Sequence, residues 1–236
     1  MSSPSDQTLN RDAKIVFASI FLMLLLNIPA AVYALGWQSA AFNTTLTLVL
    51  FGFYVARTGD SWVRYWLVFG LVAGFTELIA DYWLVTQTHS LVYPQDEPMV
   101  VVSPLYMPFA WAVVLLQGSV IAHWLVRRMK PVFAGLLTAL LCSVNIPLYE
   151  HIAKDAGWWY YQDTPMIFNA PYYIIVGEFL LGFPLAWMAL SMQRKKSLTF
   201  AAALGVAEGL VILVAYVIAW WFVGPCKGAV IQFPCG

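Results

Sequence analysis

Glu77, Asp81, Glu178 and Glu208 are carboxyl side chains set inside apolar runs, and Glu150 stands at the end of another. Glu77 and Asp81 are four residues apart, which on a helix places them on one face, one turn apart. A carboxylate at the centre of a bilayer costs roughly 2.5–3.5 kcal/mol on insertion-based scales. Four of them demand a compensating polar network, a wet cavity or a chemical role. Carboxyls crowded into a low dielectric without cations tend to keep their protons. A neutral carboxylic acid in an apolar, aromatic-lined pocket is a proton donor. The structural alternative is hydrogen bonding between helices, and Glu208, flanked by Ala and Gly, fits it best.

The elements that must hold these acids follow from composition. Of 236 residues, 61% are hydrophobic and 10% charged, with a mean hydropathy of +0.75; soluble domains carry about 25% charged residues. The chain therefore reads as an all-α polytopic membrane protein. Apolar runs predict seven transmembrane helices, at Ile15–Gly36, Ala40–Ala56, Tyr65–Val85, Leu105–Val126, Pro131–Tyr149, Pro171–Met192 and Thr199–Val223. The first run leads straight into a second span and is read as a retained helix, not a signal peptide. No linker or composition break divides residues 1–236, which predicts a single domain.

Arg11, Lys14, Arg57, Arg64, Arg127, Arg128, Lys130, Arg194, Lys195 and Lys196 all fall on one side of a seven-span arrangement, against Lys154 and Lys227 on the other. Basic residues accumulate on the cytoplasmic face, so the N-terminus is expected inside and the C-terminus outside. Localisation is then a cell membrane, crossed several times. Outer loops are expected at Thr86–Pro104 and Glu150–Ala170, with an outer tail at 224–236. The second loop carries Gly157-Trp158-Trp159-Tyr160-Tyr161, suited to an interfacial belt or to a lid over an outward-facing cavity. In this frame Glu77 and Glu208 lie near mid-membrane, Asp81 and Glu178 nearer the outer surface, and Glu150 caps helix five one turn beyond Asn145. All can face one chamber with no Lys or Arg at that depth. Glu77, Asp81 and Glu150 are the candidate catalytic groups; Asn145, Glu178, Trp111, Tyr82, Trp158 and Asn169 are candidate substrate contacts.

Other signals are structural. Gly70 and Gly74, and Ala201, Gly205 and Gly209, recur at the four-residue interval that lets helices approach closely. Cys142 reads as a small buried apolar residue, while Cys226 and Cys235 could close a disulfide in an oxidising compartment. His89, His123 and His151 are scattered and no His-Glu-x-x-His exists, so no metal site is expected. No phosphate loop, Gly-x-Ser-x-Gly or basic nucleic-acid surface is present, and no cofactor is called for. The seventh helix lacks a Lys for a retinal Schiff base.

Glu77-Leu78-Ile79-Ala80-Asp81 precedes Ser103-Pro104-Leu105-Tyr106-Met107-Pro108-Phe109-Ala110-Trp111; then come Glu150, Gly157-Trp158-Trp159-Tyr160 and Asn169-Ala170-Pro171-Tyr172-Tyr173. Over about half the chain this layout resembles the carotenoid hydratases, multi-span proteins that add water to a terminal carotenoid double bond. Tyr82-Trp83-Leu84 stands where that family has a Phe-Gly-x-Tyr segment, and Glu150 stands where it has Asp-Pro. The resemblance implies Glu77 and Asp81 as an acid pair, Glu150 as a second acid or water-holder, and Asn169 and Trp158 as pocket residues. It implies a hydrophobic isoprenoid partner within the membrane lipids and a hydratase (lyase) activity, with terpene cyclisation as a sibling. A proton-coupled transporter or channel using Asn27, Gln117 and His123, or a non-catalytic subunit of a membrane complex, are the alternatives.

Overall fold

A computed structural model describes residues 4–59, 61–94 and 96–225. Eight helices make seven spans long and apolar enough to cross a membrane: α1 (Pro4–Val32), α2 (Trp37–Thr58), α3 (Val63–Trp83), α4 (Met107–Val126), α5 (Pro131–Ala156), α6 (Tyr172–Gly182), α7 (Leu185–Arg194) and α8 (Leu198–Val223). The protein is an all-α, multi-pass membrane protein. A π-helical turn, Leu84–Thr88, lengthens α3. The sixth span is broken at Phe183-Pro184, where proline removes a backbone donor and α7 restarts. Cys226, Cys235 and most of the expected outer tail lie outside the described residues.

Helix α3 is central, packed most heavily on α8 and α4. A Cβ on Gly70 or Gly74 would strike the carbonyls of Ala112 or Pro108 on α4, and one on Gly209 would strike Thr76 of α3. Small residues thus bring three backbones together where no side chain would fit.

Two helices are longer than apolarity alone predicts. α1 begins eleven residues before Ile15, because its polar first turns dock on the end of α4: Arg127 pairs with Asp6 at 2.7 Å and the Trp124 indole donates to Asn10 at 3.1 Å. The fully buried Asp12 accepts from the Tyr54 hydroxyl at 2.5 Å, the Ser61 hydroxyl at 3.2 Å and the Trp62 backbone N–H at 2.7 Å. It thereby ties α1 and α2 to the start of α3. Asp12→Ala strands a buried N–H, so a loss of about 1–3 kcal/mol is expected, seen as a lower melting midpoint in detergent; an unchanged midpoint contradicts this role. α5 continues through Pro147 to Ala156 and ends on Gly157, whose φ of 75° suits a glycine at that position. Glu150 is consequently a residue within α5, not its cap, and the second loop starts seven residues later than expected.

The two long loops are joined. Strand β1 (Leu91–Val92) pairs antiparallel with β4 (Tyr160–Tyr161), Leu91 opposite Tyr161 and Val92 opposite Tyr160. Two short hairpins, β2 (Met99–Val100) with β3 (Ser103–Pro104) and β5 (Met166–Ile167) with β6 (Ala170–Pro171), finish them. Together they roof one end of the bundle, opposite the end that carries most of the basic residues.

Candidate functional site

Beneath this roof is a cavity of about 400 Å³, inside the usual range for small-molecule sites of roughly 300–1,000 Å³. Its long walls are α1, α4 and α5. Along α4 it runs from Met107 to Ile121, about 20 Å at 1.5 Å per residue. Phe17, Val114 and Leu141 on these walls are exposed, so the cavity is not sealed from its surroundings. No Lys, Arg or His among the described residues lines it.

Three acids reach the wall from three helices at nearly one level. Asp81 on α3, Glu150 on α5 and Glu178 on α6 each lie some six or seven residues from the roofed end of their span, or about 10 Å down. Every one is buried and every one accepts from an aromatic donor. The Tyr93 hydroxyl reaches Asp81 at 2.7 Å and the Tyr216 hydroxyl reaches Glu178 at 2.9 Å. The Trp159 indole reaches Glu150 at 2.6 Å, with the Tyr161 hydroxyl at 3.4 Å from its other oxygen. Burial, and then the neighbouring acid charges, hold the Tyr93 and Tyr161 phenols well above their usual range, so both remain donors. Gly177 makes room for the Tyr216 ring, since a Cβ there would collide with it.

Glu77 and Glu208 stand behind and below this layer. Both are completely buried and neither lines the cavity; Glu208 has no hydrogen-bond partner among the described residues, while Glu77 lies within side-chain bonding reach of Asp81. Glu77 lies within charge–charge reach of Asp81 and Glu178, and Glu208 of Glu178. Bonded helix glue therefore does not describe Glu208. The arrangement is three wall acids backed by two sealed ones, a set able to hold and pass protons beside an apolar chamber lined by Trp111, Trp159 and Tyr149.

Sequence-based candidates divide accordingly. Asp81, Glu150, Glu178, Asn145 and Trp111 come together on the cavity wall. Glu77 sits one turn behind it. Tyr82 points away and is 47% exposed, because its neighbour Asp81 takes the inward direction. Trp158 is buried outside the cavity, donating to the Gly36 carbonyl at 3.1 Å and the Ser39 hydroxyl at 2.8 Å; it staples the α1–α2 turn to α5. Asn169 is held over the end of α5 by Lys154 at 2.9 Å and His151 at 2.8 Å, away from the acids. His123 accepts from the Trp66 indole at 3.3 Å in the basic half of the bundle. No group of three or more His, Cys, Asp or Glu side chains among the described residues is placed to hold a metal ion. The aromatic donors were not among the sequence-based candidates. Trp159 and Tyr161 belong to the aromatic run, but Tyr93 reaches Asp81 only because β1 meets β4, and nothing near Tyr216 in sequence announces its role.

Glu97 in the first loop is a further acid that the sequence did not single out. It is buried, with the Tyr106 hydroxyl as its nearest polar neighbour among the described residues. Burial, with Asp96 beside it, raises Glu97 from an ordinary 4.5 to about 7. The folded state thus binds a proton that the unfolded chain releases between these values, so stability falls as pH rises from about 4.5 through 7. Glu97→Gln is expected to flatten the decline in melting midpoint between pH 5 and pH 8, measured in lipid nanodiscs; parallel curves for both proteins exclude this assignment.

No curated protein and no solved structure matches the chain. A family profile described as a domain of unknown function (DUF6989) matches residues 78–223, which include Asp81, Glu150, Glu178 and the three aromatic groups nearest them in space. With well over half of its length matched, the chain belongs to the DUF6989 family.

Proposed function

We propose that this protein is an integral membrane enzyme of the cell membrane that carries out acid-catalysed chemistry on a double bond of an isoprenoid lipid, hydration before cyclisation. The observation that carries this reading is the placement of three carboxyls, each beside an aromatic donor, on the wall of an elongated cation-free cavity. In the proposed step Asp81, in its neutral form, gives its proton to the terminal alkene carbon: the acid O–H breaks, a C–H bond forms, and a tertiary carbocation remains. The faces of Trp159, Tyr93 and Tyr161 stabilise that cation. Water held by Glu150 or Glu178 then forms the C–O bond and passes its surplus proton to a carboxylate, restoring the starting charge. Loss of a proton without water addition, after ring closure, is the cyclase outcome. The roofed end faces outward in this reading, following the distribution of basic residues. The likeness to carotenoid hydratases points the same way, and of the acid pair it implies Asp81 is the member on the cavity wall.

The test is expression with a panel of carotenoids and polyprenyl lipids and chromatography of the extracted products. A new hydrated or cyclised product with wild type, absent with Asp81→Asn, is expected. Identical profiles for wild type, variant and empty membranes would sink the enzyme. The reach of the cavity toward the basic end, as far as Gln117 and Ile121, favours proton-coupled transport as the second reading; substrate-dependent acidification of proteoliposomes without any product would select it.

A further inference from the structure

The cavity is not apolar below its acids. Three carboxamides lie on its wall, Asn27 from α1, Gln117 from α4 and Asn145 from α5. Each retains hydrogen-bonding capacity that the protein does not use. Asn27 accepts from the Asn43 side-chain amide at 2.8 Å, which leaves the Asn27 NH₂ without a partner among the described residues. Gln117 gives its NH₂ to the Ser19 hydroxyl at 3.0 Å and to the Met23 sulfur at 3.4 Å, leaving its carbonyl oxygen. Asn145 makes no side-chain bond within the described chain and is exposed where it borders the cavity. All three residues border the cavity, and no free atom of the buried Asn27 and Gln117 is sealed from it.

Depth separates Asn145 and Gln117 from the reacting layer, whereas Asn27, five residues from the roofed end of α1, is level with the acids. Asn145 precedes Glu150 by five residues on α5, about 7.5 Å along the helix, and Gln117 lies about 15 Å below Met107 on α4. A pure hydrocarbon filling this space would cover amide donors and acceptors and give them nothing in return. A chain that carries an oxygen at this depth would satisfy a donor from Asn145 and an acceptor from Gln117 or Asn145.

We infer that the ligand is an oxygen-bearing isoprenoid, a prenyl alcohol or ketone, with its oxygen bonded by Asn145 and Gln117 and its hydrocarbon end against Asp81, Glu150 and Glu178. This rests on the isoprenoid reading of the same cavity and names its substrate class. The carboxamides set orientation as well as choice: the oxygen is drawn to the deep end, so the alkene farthest from it is presented to the acids.

The experiment is competition against tritiated geranylgeraniol bound to the purified protein in nanodiscs, using unlabelled geranylgeraniol and the tetraene hydrocarbon of the same skeleton without the hydroxyl. The alcohol is expected to compete at least about tenfold better, as sites built to bond a hydroxyl reject analogues lacking it. Asn145→Leu, a change on the cavity wall, should shrink that ratio to below about threefold while hydrocarbon affinity is kept or improved. Equal competition by alcohol and hydrocarbon in wild type overturns the oxygen-bearing class but leaves the isoprenoid reading standing. An unchanged ratio in Asn145→Leu overturns the role of that amide, and no saturable binding of either lipid overturns both the class and the isoprenoid reading. The wild-type comparison decides the class whether or not the variant folds.

Discussion

Asp81→Asn is expected to lower turnover of the isoprenoid substrate by about 10²- to 10⁴-fold, the range spanned by loss of a positioned general acid. The substitution is nearly isosteric and keeps an oxygen for the Tyr93 hydroxyl, now 2.7 Å from the carboxyl, so the roof and the cavity should persist. What disappears is a proton that can be given to carbon. Glu77→Gln is expected to cost less, because Glu77 is sealed one turn behind the wall and touches no substrate. It is a positioning residue: a second carboxyl within reach of Asp81 disfavours double ionisation of the pair, so removing it should move the pH profile of kcat, whereas Asp81→Asn should lower the whole profile. Initial rates of product formation in membranes from pH 5 to pH 9 separate these behaviours. A Glu77→Gln enzyme that is silent at every pH, beside an active Asp81→Asn enzyme, would reverse the assignment within the acid pair.

The division of this pair into a wall acid, Asp81, and a sealed one, Glu77, marks the limit of what the sequence discloses. Hydropathy finds the seven spans because in a bilayer each must be apolar over its length, and the acids stand out against that background. Four-residue spacing correctly places Glu77 and Asp81 on one helix face, yet cannot say that the cavity stops between them. Helix ends were less legible wherever tertiary bonds outweigh polarity: Asp6, Asn10 and Asp12 are polar residues that remain helical because Arg127, Trp124 and Trp62 receive them. Apolarity alone ends α5 at Tyr149, seven residues short of Ala156, although Glu150 faces the chamber as expected. Trp158 and Trp159 are adjacent and chemically alike, but one staples a turn and the other holds an acid; only the β1–β4 pairing distinguishes them. Asn169 looked like a pocket residue because it follows the aromatic run, whereas its φ of 65° turns it toward Lys154 and His151. Each miss involves a partner distant in sequence, while each success depended on periodicity or on the solvent.

Gly74→Val is expected to destabilise the bundle by roughly 3 kcal/mol, the upper end of the usual cost of overpacking, and to take the acid site with it. A Cβ at Gly74 would enter the carbonyl of Pro108, and the same holds one turn earlier for Gly70 against Ala112. The obstacle in both cases is backbone, which cannot rotate aside, so relief requires α3 and α4 to separate. Asp81 is two turns further along α3, and Ala110 and Trp111, just beyond Pro108, line the cavity; separation therefore moves two of its walls. Gly52→Val is the matched control, because nothing lies within 4 Å of the Cβ it would add. Valine there should leave stability nearly unchanged, since a mid-helix glycine is itself a poor helix former. Thermal unfolding in detergent, followed by size-exclusion chromatography with fluorescence detection, reads both proteins under one condition. Equal midpoints for the two variants would mean that α3 and α4 do not meet through these glycines, and the cavity geometry that rests on their approach would have to be redrawn.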